Sequence, residues 1–207
     1  RFYFLKLVSY QHSRNTDERE KTFQDVLVSK AKCLEGDWDR QSLEFFTHWY
    51  HSAIFELLHF DSVKDDPAWI AKNLKPAISP SKAKEALTLL ENLKMVAFDE
   101  EKKRLVPITE MISTGSEIRG MTFKSYHHQM INLALTALSK EIATNRDISS
   151  VTISLPVEAM NEIKELTAKF RQELLQLSDR HKEKEQIIQV NIQAFPLSIE
   201  IKKGKED

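Results

Sequence analysis

Seven histidines, one cysteine and a set of lysines near two proline-started segments are the residues here best equipped for chemistry. Their spacing limits what they can do. His48, His51 and His59 fall in one helical apolar pattern, and eleven residues at 1.5 Å rise separate His48 from His59 by roughly 16 Å, too far for one metal ion. His48 and His51 can approach each other, but no third ligand lies at metal-site spacing. His127 and His128 are adjacent and diverge by about 100° on a helix. All five therefore read as hydrogen-bonded or exposed histidines, and no metal is expected. Cys33 stands beside Lys32 without a fixed histidine partner, so it reads as inert rather than nucleophilic. The sequence has no G-x-S-x-G elbow, no Walker loop, no G-x-G-x-x-G and no H-E-x-x-H. Its four glycines are too few for a typical phosphate cradle. Neither an enzyme nor a cofactor is expected.

The lysines give a different chemistry. From Pro67 to Ile108 there are eight Lys and Arg against five Asp and Glu. A DNA-reading surface needs donors for base edges and cations for phosphates. Lys82, Lys84 and Asn92, on the polar side of one helical pattern, meet that need, with Lys102, Lys103 and Arg104 on a following turn. Glu85 and Glu91 share the helix face and oppose phosphate approach. The chain's net charge is −1, so electrostatic attraction to nucleic acid would have to be local. The competing expectation is a domain that keeps this fold as a packing or dimerising module.

Several elements must position these residues. Residues 1–34 carry two short helical stripes around a polar turn, and Glu35-Gly36-Asp37 breaks the pattern. Leu43, Phe46, Trp49, Tyr50, Ala53, Ile54, Leu57 and Leu58 predict a helix from about Ser42 to Phe60. Asp66-Pro67 and Ser79-Pro80 each start a helix, with an N-cap side chain followed by proline at the first helical position. Met95–Phe98 and Arg104–Pro107, joined by a charged turn, predict a hairpin. Three helices and a hairpin in this order predict a winged helix-turn-helix.

A long helix is predicted from about Arg119 to Ile142. Phe123, Tyr126 and Met130 lie on one side, and Ile131, Leu135 and Leu138 on another. That breadth of apolar surface fits a central core helix, a dimer interface or the wall of an effector pocket. Val151–Leu155 and Ile188–Ala194 alternate as half-buried strands of one sheet. A helix from Pro156, with a stripe from Val157 through Phe170 to Leu177, is expected to pack on their apolar face. The fold class is thus α+β and mostly helical: a winged helix-turn-helix followed by a small α+β domain with long helices packed on a sheet. The expected organisation is an N-terminal helical linker region at 1–38, a winged-helix domain at 39–112, an α+β effector or dimerisation domain at 113–201, and a disordered tail at 202–207.

Composition is consistent with this. With 41 % apolar and 29 % charged residues, the 207-residue chain can bury a core without disulfides. Its single cysteine points to a reducing cytosol. No apolar run approaches the roughly 20 residues of a membrane span, and no signal peptide opens the chain. A start at Arg1 with a helical pattern already under way suggests a piece cut from a longer protein.

The segments FLKLVSY at 4–10, HWYHSAIFEL at 48–57, DPAWIAKNL at 66–74, ALTLLENLKMV at 86–96, KSYHHQMINLALTAL at 124–138, RDISSVTISL at 146–155 and VNIQAFPLS at 190–198 follow one another in a familiar order. Together they resemble an uncharacterised bacterial family assigned as transcriptional regulators, whose C-terminal region is known as domain of unknown function 4423. The resemblance implies an effector and dimerisation region that works with a phage-repressor-type helix-turn-helix upstream, the principal DNA reader. It implies DNA as a partner through the full-length protein, a homodimer, and a small-molecule or protein effector. It carries no catalytic residue and no agreed ligand. The alternative is a protein-interaction module that binds no DNA itself.

Overall fold

The structure is a computed structural model that describes residues 43–108 and 116–201, with side chains from 124 onward in the second stretch. The helical stripes within 1–34, Cys33, the loop at 113–115, the Phe123 side chain and the tail at 202–207 lie outside the described residues. The described part is α+β and mostly helical. It comprises α1 (Trp49–Leu57), α2 (Pro67–Asn73), α3 (Pro80–Asn92), β1 (Val96–Asp99), β2 (Arg104–Pro107), α4 (Ser116–Lys140) and α5 (Met160–Arg180), with short 3₁₀ turns at Ala143–Asn145 and Val157–Ala159. These residues divide into two units, one of 43–108, 116–135 and 184–187, the other of 136–183 and 188–201.

In the first unit the helix starts follow local chemistry. Asp66 Oδ1 accepts from Ala68 N–H at 2.9 Å with Pro67 in the first turn of α2. Ser79 Oγ accepts from Lys82 N–H at 3.3 Å with Pro80 opening α3. Each cap satisfies a donor that the first helical turn leaves orphaned. At the other end of α3, Lys94 N–H donates to Glu91 O and Met95 N–H to Leu90 O, both near 3 Å. This is the paired closure of a Schellman motif, and it holds Lys94 at φ 54°.

The chain then turns into an antiparallel hairpin in the register Val96↔Pro107 through Asp99↔Arg104. Asp99 Oδ1 accepts from Glu101 N–H and Lys102 N–H at 2.9 and 2.8 Å, which fixes the turn. Ile54, Leu58, Ile70, Leu90 and Leu93 are fully buried and form the centre of a core shared by α1, α2, α3 and the hairpin.

The helix expected from Ser42 to Phe60 is interrupted. Residues 43–45 are helical, a turn follows, and His48 is extended at φ −130°, ψ 134° before α1 begins. Thr47 ends the first turn, its N–H and its hydroxyl both donating to Glu44 O, at 3.1 and 2.6 Å. The start of α1 is capped from α4: Gln129 Oε1 accepts from Trp49 N–H at 3.1 Å while Gln129 Nε2 donates to Thr47 O at 2.7 Å.

The second unit departs further from expectation. α5 forms as its apolar spacing predicts, but it has no buried residue. Val151–Leu155 and Ile188–Ala194, expected as strands of one sheet, form neither helix nor strand. Among the described residues the sheet is the β1–β2 hairpin alone. Period-2 alternation assigns side chains to two faces, but it supplies no partner for the backbone. Phe170, expected to be covered by that sheet, is exposed.

Candidate nucleic-acid interface

The polar side of α3 faces away from the core of the first unit. Ala83, Ala86, Leu87 and Leu90 anchor the opposite side in the core. What remains outward is a shallow groove of about 520 Å³ whose described lining is Glu44, Ser81, Lys84, Glu85, Thr88, Leu89 and Asn92. Lys84 and Asn92, expected as DNA contacts, therefore lie together in one groove. Lys82, also expected as a DNA contact, is not part of that lining; its Nζ lies 6.0 Å from the centre of the Tyr50 ring. Two acids are in the same place: Glu44 and Glu85 line the groove, and Ser81 Oγ donates to Glu85 Oε1 at 2.8 Å. The groove offers hydroxyl, amide and ammonium donors, but its lining sets the one lysine, Lys84, against two glutamates.

The hairpin cations are engaged by the protein. Lys103 Nζ lies 2.9 Å from Glu100 Oε2, and Lys102 Nζ lies 3.8 Å from Asp61 Oδ1. All four of these side chains are well exposed, so such pairs are worth at most about 1 kcal/mol and exchange readily for a phosphate. Arg104 differs from the exposed wing cation that its sequence position suggests. Its side chain is 8 % exposed, and Nη1 donates to Leu58 O at 2.8 Å while Nη2 lies 3.7 Å from Asp61 Oδ1. The guanidinium closes the C-terminal end of α1 against the hairpin, so it is structural and unavailable to a ligand.

Behind the groove, His48, Tyr50 and His51 form an aromatic cluster. His48 stacks on Tyr50 with centroids 4.9 Å apart, and both meet His51 edge-on at 5.3 and 4.8 Å. His51 Nδ1 lies 3.1 Å from Glu44 O and 3.0 Å from Phe45 O, so it carries the proton and donates. Burial, then the neighbouring His48, push the His51 pKa down to about 4 against the opposing pull of those two carbonyls. Burial also lowers His48, with Lys82 acting in the same direction. Burial raises Tyr50 to about 12, helped by Glu85. These rings are neutral packing groups at neutral pH. Among the described residues no group of three or more His, Cys, Asp or Glu is placed to hold a metal ion.

The residues expected on α4 divide between two environments. Tyr126 and Met130 face the first unit: Tyr126 Oη is 2.8 Å from Ser52 Oγ, its ring meets Phe46 edge-on at 5.6 Å, and Met130 is buried. Burial holds the Tyr126 pKa above its ordinary value. Ile131, Leu135 and Leu138 are exposed and recur at helical spacing. The sequence argument missed Gln129. Its signal was an amide set between Tyr126 and Met130 on a face otherwise destined for burial, where a polar side chain must find partners.

Comparison with known proteins identifies the family. The model for Domain of unknown function (DUF4423) matches residues 32–197, and the chain belongs to that family. No curated protein and no solved structure matches it. No described helix is long and apolar enough to cross a membrane.

Proposed function

We propose that this member of the family is the winged-helix and effector or dimerisation portion of a bacterial transcriptional regulator, without enzymatic activity and working in the cytoplasm. The observation that carries this is α3. It is fixed at its start by Ser79 and Pro80, anchored on one side in the core, followed directly by a hairpin, and turned outward with Ser81, Lys84, Thr88 and Asn92 in one groove. A helix so presented is a suitable body for the major groove, with hydroxyl and amide groups for base edges. Its charge makes it a secondary reader. Glu44 and Glu85 offset Lys82 and Lys84, and Arg104 is withdrawn into the core. The principal operator contacts are therefore assigned to a phage-repressor-type helix-turn-helix outside residues 43–201. The exposed stripe of Ile131, Leu135 and Leu138 on α4 is the surface offered for self-association or for an effector.

Binding of the chain to duplex DNA, followed by fluorescence anisotropy across a salt series, tests this. The dissociation constant is expected in the non-specific range, about 10⁻⁴ to 10⁻⁶ M at physiological salt. Two to four phosphates, met by Lys82 and Lys84 with or without Lys102 and Lys103, give a log–log salt slope of roughly −1.8 to −3.6. Lys82→Gln with Lys84→Gln should flatten the slope by about 1.8. Nanomolar sequence-selective binding would make α3 the primary reader. The second function considered is a protein-interaction module that binds no DNA, favoured by the two glutamates in the groove. A slope unaffected by either lysine substitution would support it and remove the DNA assignment.

A further inference from the structure

The break before α1 is held by a side chain far away in sequence. His48, at the capping position, is extended with ψ 134°, and its ring stacks on Tyr50 instead of capping the helix. In an uninterrupted helix Trp49 N–H would donate to Phe45 O, and His51 N–H to Thr47 O. Here Trp49 N–H donates to Gln129 Oε1 at 3.1 Å, and Thr47 O accepts from Gln129 Nε2 at 2.7 Å. Phe45 O lies 3.0 Å from His51 Nδ1, and His51 N–H turns to His48 O at 3.2 Å. One side-chain amide thus takes both a donor and an acceptor that continuation of the helix would use.

The break decides where Glu44 stands. Thr47 N–H and its hydroxyl donate to Glu44 O at 3.1 and 2.6 Å, and His51 Nδ1 lies 3.1 Å from the same oxygen. The turn that carries Glu44 is therefore tied to residues on the far side of His48, and the Glu44 side chain lines the α3 groove together with Lys84. Without Gln129, Trp49 N–H and the carbonyl of the buried Thr47 would lose their partners. Unpaired backbone groups in such a place are costly, and pairing within a helix is the local remedy. The apolar spacing of Leu43, Phe46, Tyr50 and Ala53 already favours that helix. Returning His48 to helical backbone swings ψ from 134° to about −42° and redirects every residue before it, Glu44 included.

We propose that Gln129 is a positioning residue for the α3 groove: by holding the chain extended at His48, it keeps the Glu44 carboxylate among the groove's donors. Through it, α4 sets the charge of a surface to which Gln129 itself does not contribute. The proposal rests on the DNA reading of that groove and adds a control to it.

Two measurements on the full 207-residue chain carrying Gln129→Ala test it. Without DNA, the Cα chemical shift of His48 should move from the extended to the helical range. With duplex DNA at low salt, the dissociation constant should fall about two- to fivefold, the scale of one exposed charge contact. Loosened packing by itself would weaken binding, so a tightening separates positioning from a merely structural role. Glu44→Gln alone should tighten binding by the same factor, and Gln129→Ala should add nothing in that background. Tyr126→Phe, which removes the 2.8 Å contact between the same helix and Ser52, should change neither readout. Should Gln129→Ala fail to fold, Gln129→Glu keeps an acceptor for Trp49 N–H, sets a carboxylate oxygen against Thr47 O, and carries the same expectations. An extended His48 in the folded variants overturns the inference, as does weakened binding or a tightening that persists beside Glu44→Gln. If Glu44→Gln leaves DNA affinity unchanged while His48 turns helical, the DNA reading of the groove fails and the positioning role stands. If Glu44→Gln tightens binding and the Gln129 variants do not, this inference fails and the DNA reading stands.

Discussion

Lowering the pH from 7 to 5 should destabilise the first unit mainly through His51. The ring is buried, with Nδ1 giving its hydrogen to the carbonyls of Glu44 and Phe45. Nε2 is then the atom that would have to take up a proton inside the His48–Tyr50–His51 cluster. The folded pKa of about 4 lies below the ordinary value of 6.5. The unfolded chain therefore takes up the proton first as pH falls. Stability from this group is complete above pH 6.5 and drains away between 6.5 and 4. Linkage over that gap gives a full loss of about 3 kcal/mol, of which about 2 kcal/mol falls between pH 7 and pH 5. His48, also held low by burial, adds loss in the same direction.

The control is His51→Asn, whose side-chain amide can donate from nearly the same place as Nδ1 but does not titrate in this range. Urea unfolding of both proteins at the two pH values, followed by the fluorescence of Trp49 and Trp69, which pack on this core, gives the comparison. The variant is expected to be less stable at pH 7, because it loses ring packing, yet to lose about 2 kcal/mol less than the wild type on acidification. Equal losses, within about 0.5 kcal/mol, would refute the assignment of the acid sensitivity to His51.

Two further substitutions test the structural assignments. Lys94 occupies the left-handed position that ends α3, at φ 54°; Lys94→Gly should relieve a steric cost and raise stability by about 0.5–1 kcal/mol, read from the urea midpoint. Arg104→Ala should lower stability by about 1–3 kcal/mol, since Leu58 O loses its buried donor. It should leave the DNA salt slope unchanged, in contrast to the paired lysine substitutions, and a flattened slope would show that the guanidinium does reach phosphate.

The parts of this fold legible in the sequence are those decided within a few residues. Asp66-Pro67 and Ser79-Pro80 each contain both the capping oxygen and the residue that tolerates a first-turn position, so the starts of α2 and α3 could be read directly. The hairpin was readable because its two short apolar runs flank a turn that Asp99 folds by itself. The break before α1 was not readable, because the group that caps the new helix is Gln129, eighty residues on in sequence. Arg104 misled for a related reason. It stands with Lys102 and Lys103 in a cationic run, yet the register that pairs it with Asp99 brings it beneath the end of α1, where Leu58 O needs a donor. On α4 the sequence showed two apolar sides. Only packing distinguishes the side of Tyr126 and Met130 from the exposed side of Leu135. In the second unit, alternation at 151–155 and 188–194 was plain, but a strand is completed by a neighbour, and pattern alone does not say on which chain the neighbour lies.

The charge on α3 bears on how such a surface could contribute to regulation. A groove lined by Lys84 with Glu44 and Glu85 attracts DNA weakly, and at a dissociation constant near 10⁻⁵ M it would be mostly empty at ordinary protein concentrations. Held beside a stronger reader on the same DNA, the groove works instead against an effective concentration on the order of millimolar. At that ratio the weak contact is about 99 % made, and it adds sequence discrimination through Ser81, Thr88 and Asn92 rather than gross affinity. In the proposed regulator, then, the acidic residues of the groove keep α3 off DNA until the principal reader has delivered it. Glu85→Gln is the substitution most directly aimed at that restraint, since it removes one negative charge while an amide oxygen can still accept from Ser81 Oγ.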